Sequence, residues 1–413
     1  MVAVTMRWRA WYGDELLHLS FPEEWRVRSF ALADAPRLDR SAIERAMDRP
    51  IDAPPLEVLA RGRQWVSIAV DDISRPAPAA QLLPPILSRL ERAGVNLDRV
   101  RIVLGTGTHR PMVKADIVKK IGAAAAYRLE VYNNHPWGNQ VHLGTSGRGT
   151  PVYVARPFAE ADLKIGVGSI TPHGGPGFGG GAKVVVPGVA GIETIAAIHR
   201  PGRLRTALLE VDANELRQEI EAIVREQVGL DFIVNAVVNA RREIAAVVAG
   251  DMVSAHRAGV ELARALYATD MPDEPVDVAI CNAYPKDTDF LQNGMALNVL
   301  RSASRPVVKP GGVVVIVTAS PEGRGYHGLY GPGMPYDPLR GTEEGGSPPS
   351  PWPGAEVVYF SPAVSALDAR GAHVFQRWDD LVAYLIGRYG RRCDVAVFPC
   401  GSLQIAREAA DDS

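Results

Sequence analysis

Cysteine is scarce in this chain of 413 residues: Cys281, Cys393 and Cys400 are an odd number, with no Cys-x-x-Cys spacing. That argues against a disulfide scaffold or a thiolate zinc site and makes the cytoplasm the expected compartment. There is no basic block either, since 45 Lys and Arg face 47 Asp and Glu for a net charge of −2. Neither a nucleic-acid groove nor a membrane-surface patch is expected from that balance. No apolar run is long enough to span a bilayer, and no apolar h-region follows Met1-Val2-Ala3. Two phosphate-binding signatures are incomplete as well. A Walker loop needs glycine before its lysine and a hydroxyl after it, to turn under phosphates and meet magnesium. Here Ala182 precedes Lys183 and Val184 follows it. Gly105-Thr106-Gly107-Thr108-His109-Arg110 lacks the third glycine of a dinucleotide fingerprint, which disfavours a nicotinamide site.

What is present has the make-up of an ordinary soluble globular protein, with 46% hydrophobic and 22% charged residues. Its length favours two or three domains. Residues 1–30 alternate as a β hairpin would. Ser41 to Met47 reads as a short helix capped by Ser41, with Glu44 completing a capping box. Apolar strand runs at Trp65–Val70, Val100–Leu104 and Leu163–Val167 then alternate with helix patterns at Gln81–Ala93 and Lys114–Ile121. A helix at Glu215–Glu226, a strand at Asp231–Val238 and a helix at Asp251–Tyr267 follow. The stretch Met271-Pro272-Asp273-Glu274-Pro275 reads as a linker. Beyond it come a strand at Val276–Cys281, a helix through Leu300, and strands at Val313–Val317 and Asp394–Phe398. The segment 341–354 is rich in Pro, Gly and Ser and is expected to be mobile. Such alternation predicts an α/β protein of two domains with mainly parallel sheets: residues 1–270 for cofactor binding and catalysis, and 276–413 closing over the substrate, with the active-site cleft between them.

Three loops follow strands and are expected to face one cleft: Asp71-Asp72-Ile73-Ser74-Arg75-Pro76, Gly105 to Pro111, and the stretch Pro172–Lys183. The last is half glycine, which costs conformational entropy and so needs a reason, such as positive φ or close approach to a ligand. Lys183 ends it where the loop re-enters buried structure, so its amine is a candidate for covalent or charge chemistry. His109 and His173 stand on glycine-flanked strand-end loops, a better setting for acid–base work than a surface histidine has. The other histidines, His18, His135, His142, His256, His327 and His373, read as structural or exposed.

Together these loops resemble the lactate racemase catalytic subunit family, whose enzymes use a nickel-pincer nucleotide. The matching stretches are Asp71–Pro76, Gly105–Pro111, Pro172-His173 with Gly177–Lys183, Pro187–Gly191 with His199, and Tyr284-Pro285-Lys286-Asp287. The resemblance implies a pyridinium mononucleotide holding nickel through two sulfur arms and a ring carbon, joined to Lys183 by a thioamide. It implies His199 as the nickel ligand, a role that suits imidazole. Asp72, Ser74, Gly105, Thr106, Gly107, Thr108, Pro187 and Gly188 are then expected against the nucleotide, backbone amides holding its phosphate. His109 and His173 match the family's acid/base pair, and Arg75 its substrate-orienting arginine, whose planar fork suits a carboxylate. Asp72 is also placed to orient Arg75.

The implied reaction is racemisation or epimerisation of a small 2-hydroxy acid by reversible hydride transfer. Removing the α-proton instead would set a second negative charge beside the carboxylate. Tyr284, Lys286, Gln292 and Met295 are expected at the substrate. Where the family has a lysine three residues after the glutamine, this chain has Met295, so an enzyme not optimised for lactate is expected. Loading would require the cofactor's biosynthetic enzymes as partners. The competing readings are an epimerase of a larger, sugar-type 2-hydroxy acid and a non-catalytic protein that binds the nickel-pincer cofactor.

Overall fold

The computed structural model describes residues 1–336, 354–369 and 372–407; the segment expected to be mobile lies, except for Gly354, outside them. The chain divides into two compact units. One comprises Met1–Asp34, Arg264–Tyr326 and the described residues after 343. The other comprises Ala35–Ala263 and the described part of 327–343. The chain thus changes unit close to the linker near 270, but it also does so near 34 and near 326, where no linker composition marks the crossing.

Two six-stranded sheets organise the units. In chain order their strands are β1 (Arg26–Ser29), β2 (Val66–Asp71), β3 (Val100–Gly105), β4 (Glu130–Asn133), β5 (Leu163–Ser169) and β6 (Phe232–Val238). Then follow β7 (Ile244–Gly250), β8 (Val276–Asn282), β9 (Val308–Val317), β10 (Glu356–Phe360), β11 (His373–Phe375) and β12 (Asp394–Phe398). The runs read as strands from sequence are therefore strands, with ends that differ by at most two residues except in β9, which begins five residues earlier.

In the unit built on 35–263 the strand order is β7-β6-β5-β2-β3-β4. All its pairs are parallel except β6 with β7. Every residue of β2 is buried, as a strand covered on both faces requires. The helix α1 (Ala79–Arg92) follows β2 and buries Leu82, Leu83, Ile86 and Leu90; their near-helical spacing forms one apolar stripe. The helix α2 (Lys114–Ile121) follows β3. β7 escapes the parallel rule because its connection is a tight turn. The Asn239 amide donates to the Glu243 carbonyl at 2.9 Å, so no crossover intervenes. The short helix at 40–48 is capped by Asp39, which accepts from the Ala42 amide at 2.7 Å, rather than by Ser41, whose hydroxyl donates to Asp39. The helix starts earlier than read, and the carboxylate two residues before Ser41 meets its first amides.

The other unit's sheet is wholly parallel, in the order β11-β10-β9-β8-β12-β1. The hairpin at the start of the chain pairs Val2–Trp8 with Glu15–Phe21. Its Met6, Leu19 and Phe21 join Trp25 in one core with Val278, Val313 and Val395, which is why the first residues belong here. The expected helix through Leu300 is a 3-10 stretch, Phe290–Leu297, continued by the α-turn Asn298–Arg301.

Candidate active site

β5, β2 and β3 are parallel neighbours, so the loops leaving their C-terminal ends share one edge of the sheet. Behind those loops lies a buried ion pair. Lys120 of α2 sits 2.7 Å from Asp71 and donates to the Arg75 and Ala77 carbonyls at 3.0 and 2.9 Å. Burial lowers its pKa, and Asp71 opposes that. Asp71 also accepts from the Ser169 amide and hydroxyl, both at 2.8 Å. It is a strut tying β2, β5 and α2 together.

Its neighbour Asp72 faces His109. His109 Nδ1 lies 2.5 Å from the Asp72 carboxylate, which also accepts from the Ser74 hydroxyl at 2.5 Å and the Ser74 amide at 3.0 Å. Arg75 in turn donates to the Ser74 hydroxyl at 2.8 Å. Burial pushes the Asp72 pKa up, but His109, Arg75 and Ser74 outweigh it and hold the carboxyl well below the usual range. A carboxylate on Nδ1 keeps a proton there and leaves the lone pair on Nε2, the arrangement of a general base. Asp72 and Ser74, expected against the cofactor, are thus engaged by His109 and Arg75.

His173 carries the opposite pattern. Its Nδ1 accepts from the Gly175 amide at 3.1 Å, which puts the ring proton on Nε2. The strand pair Pro172–His173 with Gly177–Phe178 opens the glycine-rich loop, and the 3-10 turn Gly181–Val184 bearing Lys183 closes it. At Gly177, with φ at +75°, a Cβ would lie 1.9 Å from the Glu210 carbonyl oxygen, so only glycine fits. The loop's carbonyls are met from below by helices α3 (Glu215–Ile223) and α4 (Ser254–Tyr267). Fully buried Arg217 donates to the carbonyls of Pro176, Gly180 and Phe178, and His256 lies 2.8 Å from that of Gly179.

His199 ends the helical turn Ile192–Ile198, and its Nδ1 lies 2.8 Å from the Ile195 carbonyl. A carbonyl there demands a proton on Nδ1 and leaves Nε2 with its lone pair. Burial, with positive charge on nearby Lys183 and His109, pushes its pKa down to about 4 despite that bond. An unprotonated Nε2 is the form in which imidazole binds a metal.

The amides expected to hold a phosphate are partly spoken for. Thr106 donates to the Leu104 carbonyl at 2.9 Å and Gly107 to the Gly188 carbonyl at 2.8 Å. Past Gly188, the amides of Val189, Ala190 and Gly191 are likewise bonded to carbonyls. A Cβ on Gly188 would sit 2.0 Å from the Val184 carbonyl oxygen, so here glycine serves close packing of Pro187 and Gly188 on the lysine-bearing turn. These amides brace the loops against each other, a tertiary use that a glycine pattern does not announce.

One residue read as structural belongs to this site. His327 forms an isolated antiparallel bridge with His109, and the two rings lie 5.0 Å apart. Glycine flanks it at Gly325 and Gly328, the same local signal that marked His173, but it lies in a stretch whose sequence neighbours belong to the other unit.

The remaining substrate candidates lie in that other unit. Tyr284 is buried and donates its hydroxyl to Asp14 at 2.9 Å. Lys286 is buried too. Its neighbour Asp287 accepts from the amides of Arg9 and Ala10 at 2.8 and 3.1 Å, and burial pushes its carboxyl up to about 6. Gln292 and Met295 are half-buried on the 3-10 stretch, where the Gln292 amide donates to Asp289 at 3.1 Å.

Residues 12–207 match the family described as Lactate racemase N-terminal domain. A lactate racemase of Lactiplantibacillus plantarum is 30% identical over 299 residues, covering 71% of this chain and 69% of its own. A lactate racemase of Thermoanaerobacterium thermosaccharolyticum is 27% identical over 333 residues, or 77% and 76% of the two chains. The fold matches the lactate racemase apoprotein from that organism with a TM-score of 0.76 at 22% identity, over 98% of this chain and 100% of that one. It also matches a crystal structure of a Thermotoga maritima protein, with a TM-score of 0.67 at 16% identity, over 91% and 100%.

Proposed function

The chain belongs to the lactate racemase family, and from that premise we propose that it interconverts the two hands of a 2-hydroxy acid with the help of a nickel-pincer nucleotide. The observation that carries this reading is the pair of loop histidines held in opposite protonation patterns. His109 presents a lone pair at Nε2, and His173 a proton. A protein that only stored a cofactor would have no use for such a pair.

The residues present fit the cofactor. His199 offers one unprotonated imidazole nitrogen near Lys183. Among the described residues no group of three or more His, Cys, Asp or Glu side chains is placed to hold a metal ion. The further donors of a nickel ion would therefore come with an organic group, as they do in a pincer with sulfur and carbon arms. Lys183 would carry the thioamide and His199 would ligate the metal. When bound, the nucleotide supplies a reversible hydride acceptor for C2 of the substrate.

The protein's own residues manage charge and protons. Arg75, braced through Ser74, holds the carboxylate. His109 takes the hydroxyl proton from one hand of the substrate at Nε2. After the keto acid has turned, His173, having let go of the Gly175 amide and taken a solvent proton at Nδ1 to become an imidazolium, gives its Nε2 proton to the carbonyl oxygen. His109 returns its proton to solvent, and the roles reverse in the other direction. Met295, an apolar thioether in place of a cation, favours an acid bulkier than lactate, at about 0.8 kcal/mol per buried methylene.

Co-production with the cofactor's biosynthetic enzymes tests the proposal. The intact mass should exceed that of the sequence, and nickel should be stoichiometric. Lys183→Ala should lose the adduct; His199→Ala should keep the adduct and lose nickel. The loaded enzyme should racemise a bulkier 2-hydroxy acid faster than lactate while retaining deuterium placed at C2. Full activity and nickel in Lys183→Ala, or rapid loss of the label to solvent, would overturn the reading.

A further inference from the structure

The histidine that sequence reading set aside has the most constrained position at the site. The Gly328 amide donates to the Thr108 carbonyl at 2.8 Å, locking the strand bridge between His327 and His109. A Cβ on Gly328 would fall 2.7 Å from the Trp137 ring, so the segment lies close against the loop beneath it. The His327 ring stands at 62° to that of His109 and packs 5.5 Å from Tyr330. Its Nδ1 accepts from the Leu329 amide at 3.3 Å and faces the Thr108 hydroxyl at 3.4 Å.

An amide N–H can only donate, so Nδ1 holds the lone pair and the proton sits on Nε2. Burial above all, with the positive charge of Arg75 adding to it, pushes the His327 pKa down to about 2. The ring is therefore a neutral donor among the groups the reaction uses. Like His173 it carries its proton on Nε2, but burial within the strand bridge keeps its Nδ1 from taking a second one, so the ring stays a neutral donor throughout turnover.

We propose that His327 is a substrate-binding residue whose Nε2–H donates a hydrogen bond to the carboxylate of the 2-hydroxy acid, together with Arg75. This rests on the racemase reading above. The carboxylate is the matching partner because it too stays unchanged: it is an acceptor in alcohol and keto acid alike, whereas the C2 oxygen gains and loses a proton. A neutral donor beside Arg75 also adds grip without a second fixed positive charge, which would disfavour the protonated histidine formed when His109 takes its proton.

The experiment uses the cofactor-loaded protein with His327→Phe, His327→Ala and His327→Gln, and measures KM and kcat for both hands of its best 2-hydroxy acid. Nickel content and thermal unfolding are read alongside. Phenylalanine keeps the packing against His109 and Tyr330, and glutamine keeps an N–H donor. Losing one hydrogen bond to a charged group should raise KM about ten- to a hundredfold in the Phe and Ala variants, equally for both hands, with kcat and nickel little changed. His327→Gln should recover most of the loss. Unchanged KM in both Phe and Ala variants overturns the assignment. A fall in kcat for one hand alone also overturns it, since that marks an acid–base group. If neither Phe nor Ala folds, His327→Gln decides: a KM within a few-fold of wild type supports the donor role, and a hundredfold rise overturns it. A wild-type protein that holds nickel yet turns over no 2-hydroxy acid overturns the function on which the inference rests, a result distinct from normal turnover with unchanged KM in the variants.

Discussion

At the scale of single residues, the chemistry depends on which ring nitrogen carries a proton, and Asp72 decides it for His109. One Asp72 oxygen accepts from both the amide and the hydroxyl of Ser74, so an asparagine there must turn its oxygen towards Ser74. Its NH₂ then faces His109 Nδ1, which has to accept. The ring proton moves to Nε2 and the base is gone. Asp72→Asn should therefore cost as much as removing a positioned general base, roughly 10²–10⁴ in kcat for racemisation. The fold and nickel content should be preserved. Steady-state rates from each hand check this, and a loss below tenfold would show that the tautomer of His109 does not matter. His109, His173 and Arg75 were legible as candidates from their strand-end loops. The assignment of Asp72 to His109 was not, because those residues meet only after two strands pair.

At the scale of elements, the glycine-rich loop is a fold within the fold. Its carbonyls at Pro176, Phe178 and Gly180 face one buried guanidinium, which supplies several donors at once. Gly177, Gly180 and Gly181 admit backbone where a Cβ would collide. Gly177→Ala tests this: overpacking costs about 1–3 kcal/mol, and positive φ adds a further ~1 kcal/mol for a residue with a Cβ. Urea unfolding should show a lower midpoint with an unchanged slope, and an alanine variant as stable as the parent would refute the steric account. The sequence announced that this loop needed an explanation. Its supports, Arg217 and His256, stand on helices whose amphipathic pattern says only that they are buried.

For the whole molecule, acid stability should reflect histidines folded in the neutral form. His256 is fully buried, and burial together with Arg217 holds its pKa well below 6.5. The sign follows from linkage. The unfolded chain binds the proton more readily, so the contribution of His256 is complete above pH 6.5 and is lost as pH falls below it. Asp287 works the other way. Its folded pKa of about 6 lies above the ordinary 3.8, so its contribution is lost as pH rises between those values. His256→Gln, which keeps a donor for the Gly179 carbonyl, should flatten the fall in Tm between pH 6.5 and 5 relative to wild type. Parallel Tm–pH curves for the two proteins would show that His256 is not among the groups responsible.

The sequence by itself determined the α/β class and the mainly parallel sheets, because fully apolar runs alternating with amphipathic helices can bury their surfaces in few other ways. It also marked three loops as candidates for chemistry and, through its motifs, the family they resemble. Tertiary structure decided the rest: that Asp71 is a strut while Asp72 serves His109, that the N-terminal hairpin belongs with the sheet near the chain's other end, and that His327 joins the site. Periodicity reports a residue's own backbone and which face it shows. It carries no information on partners such as Asp72 and His109, 37 residues apart, or Thr108 and His327, 219 apart. Those pairings are set by strand order and by where the chain crosses between units, and with them the tautomers of His109 and His327.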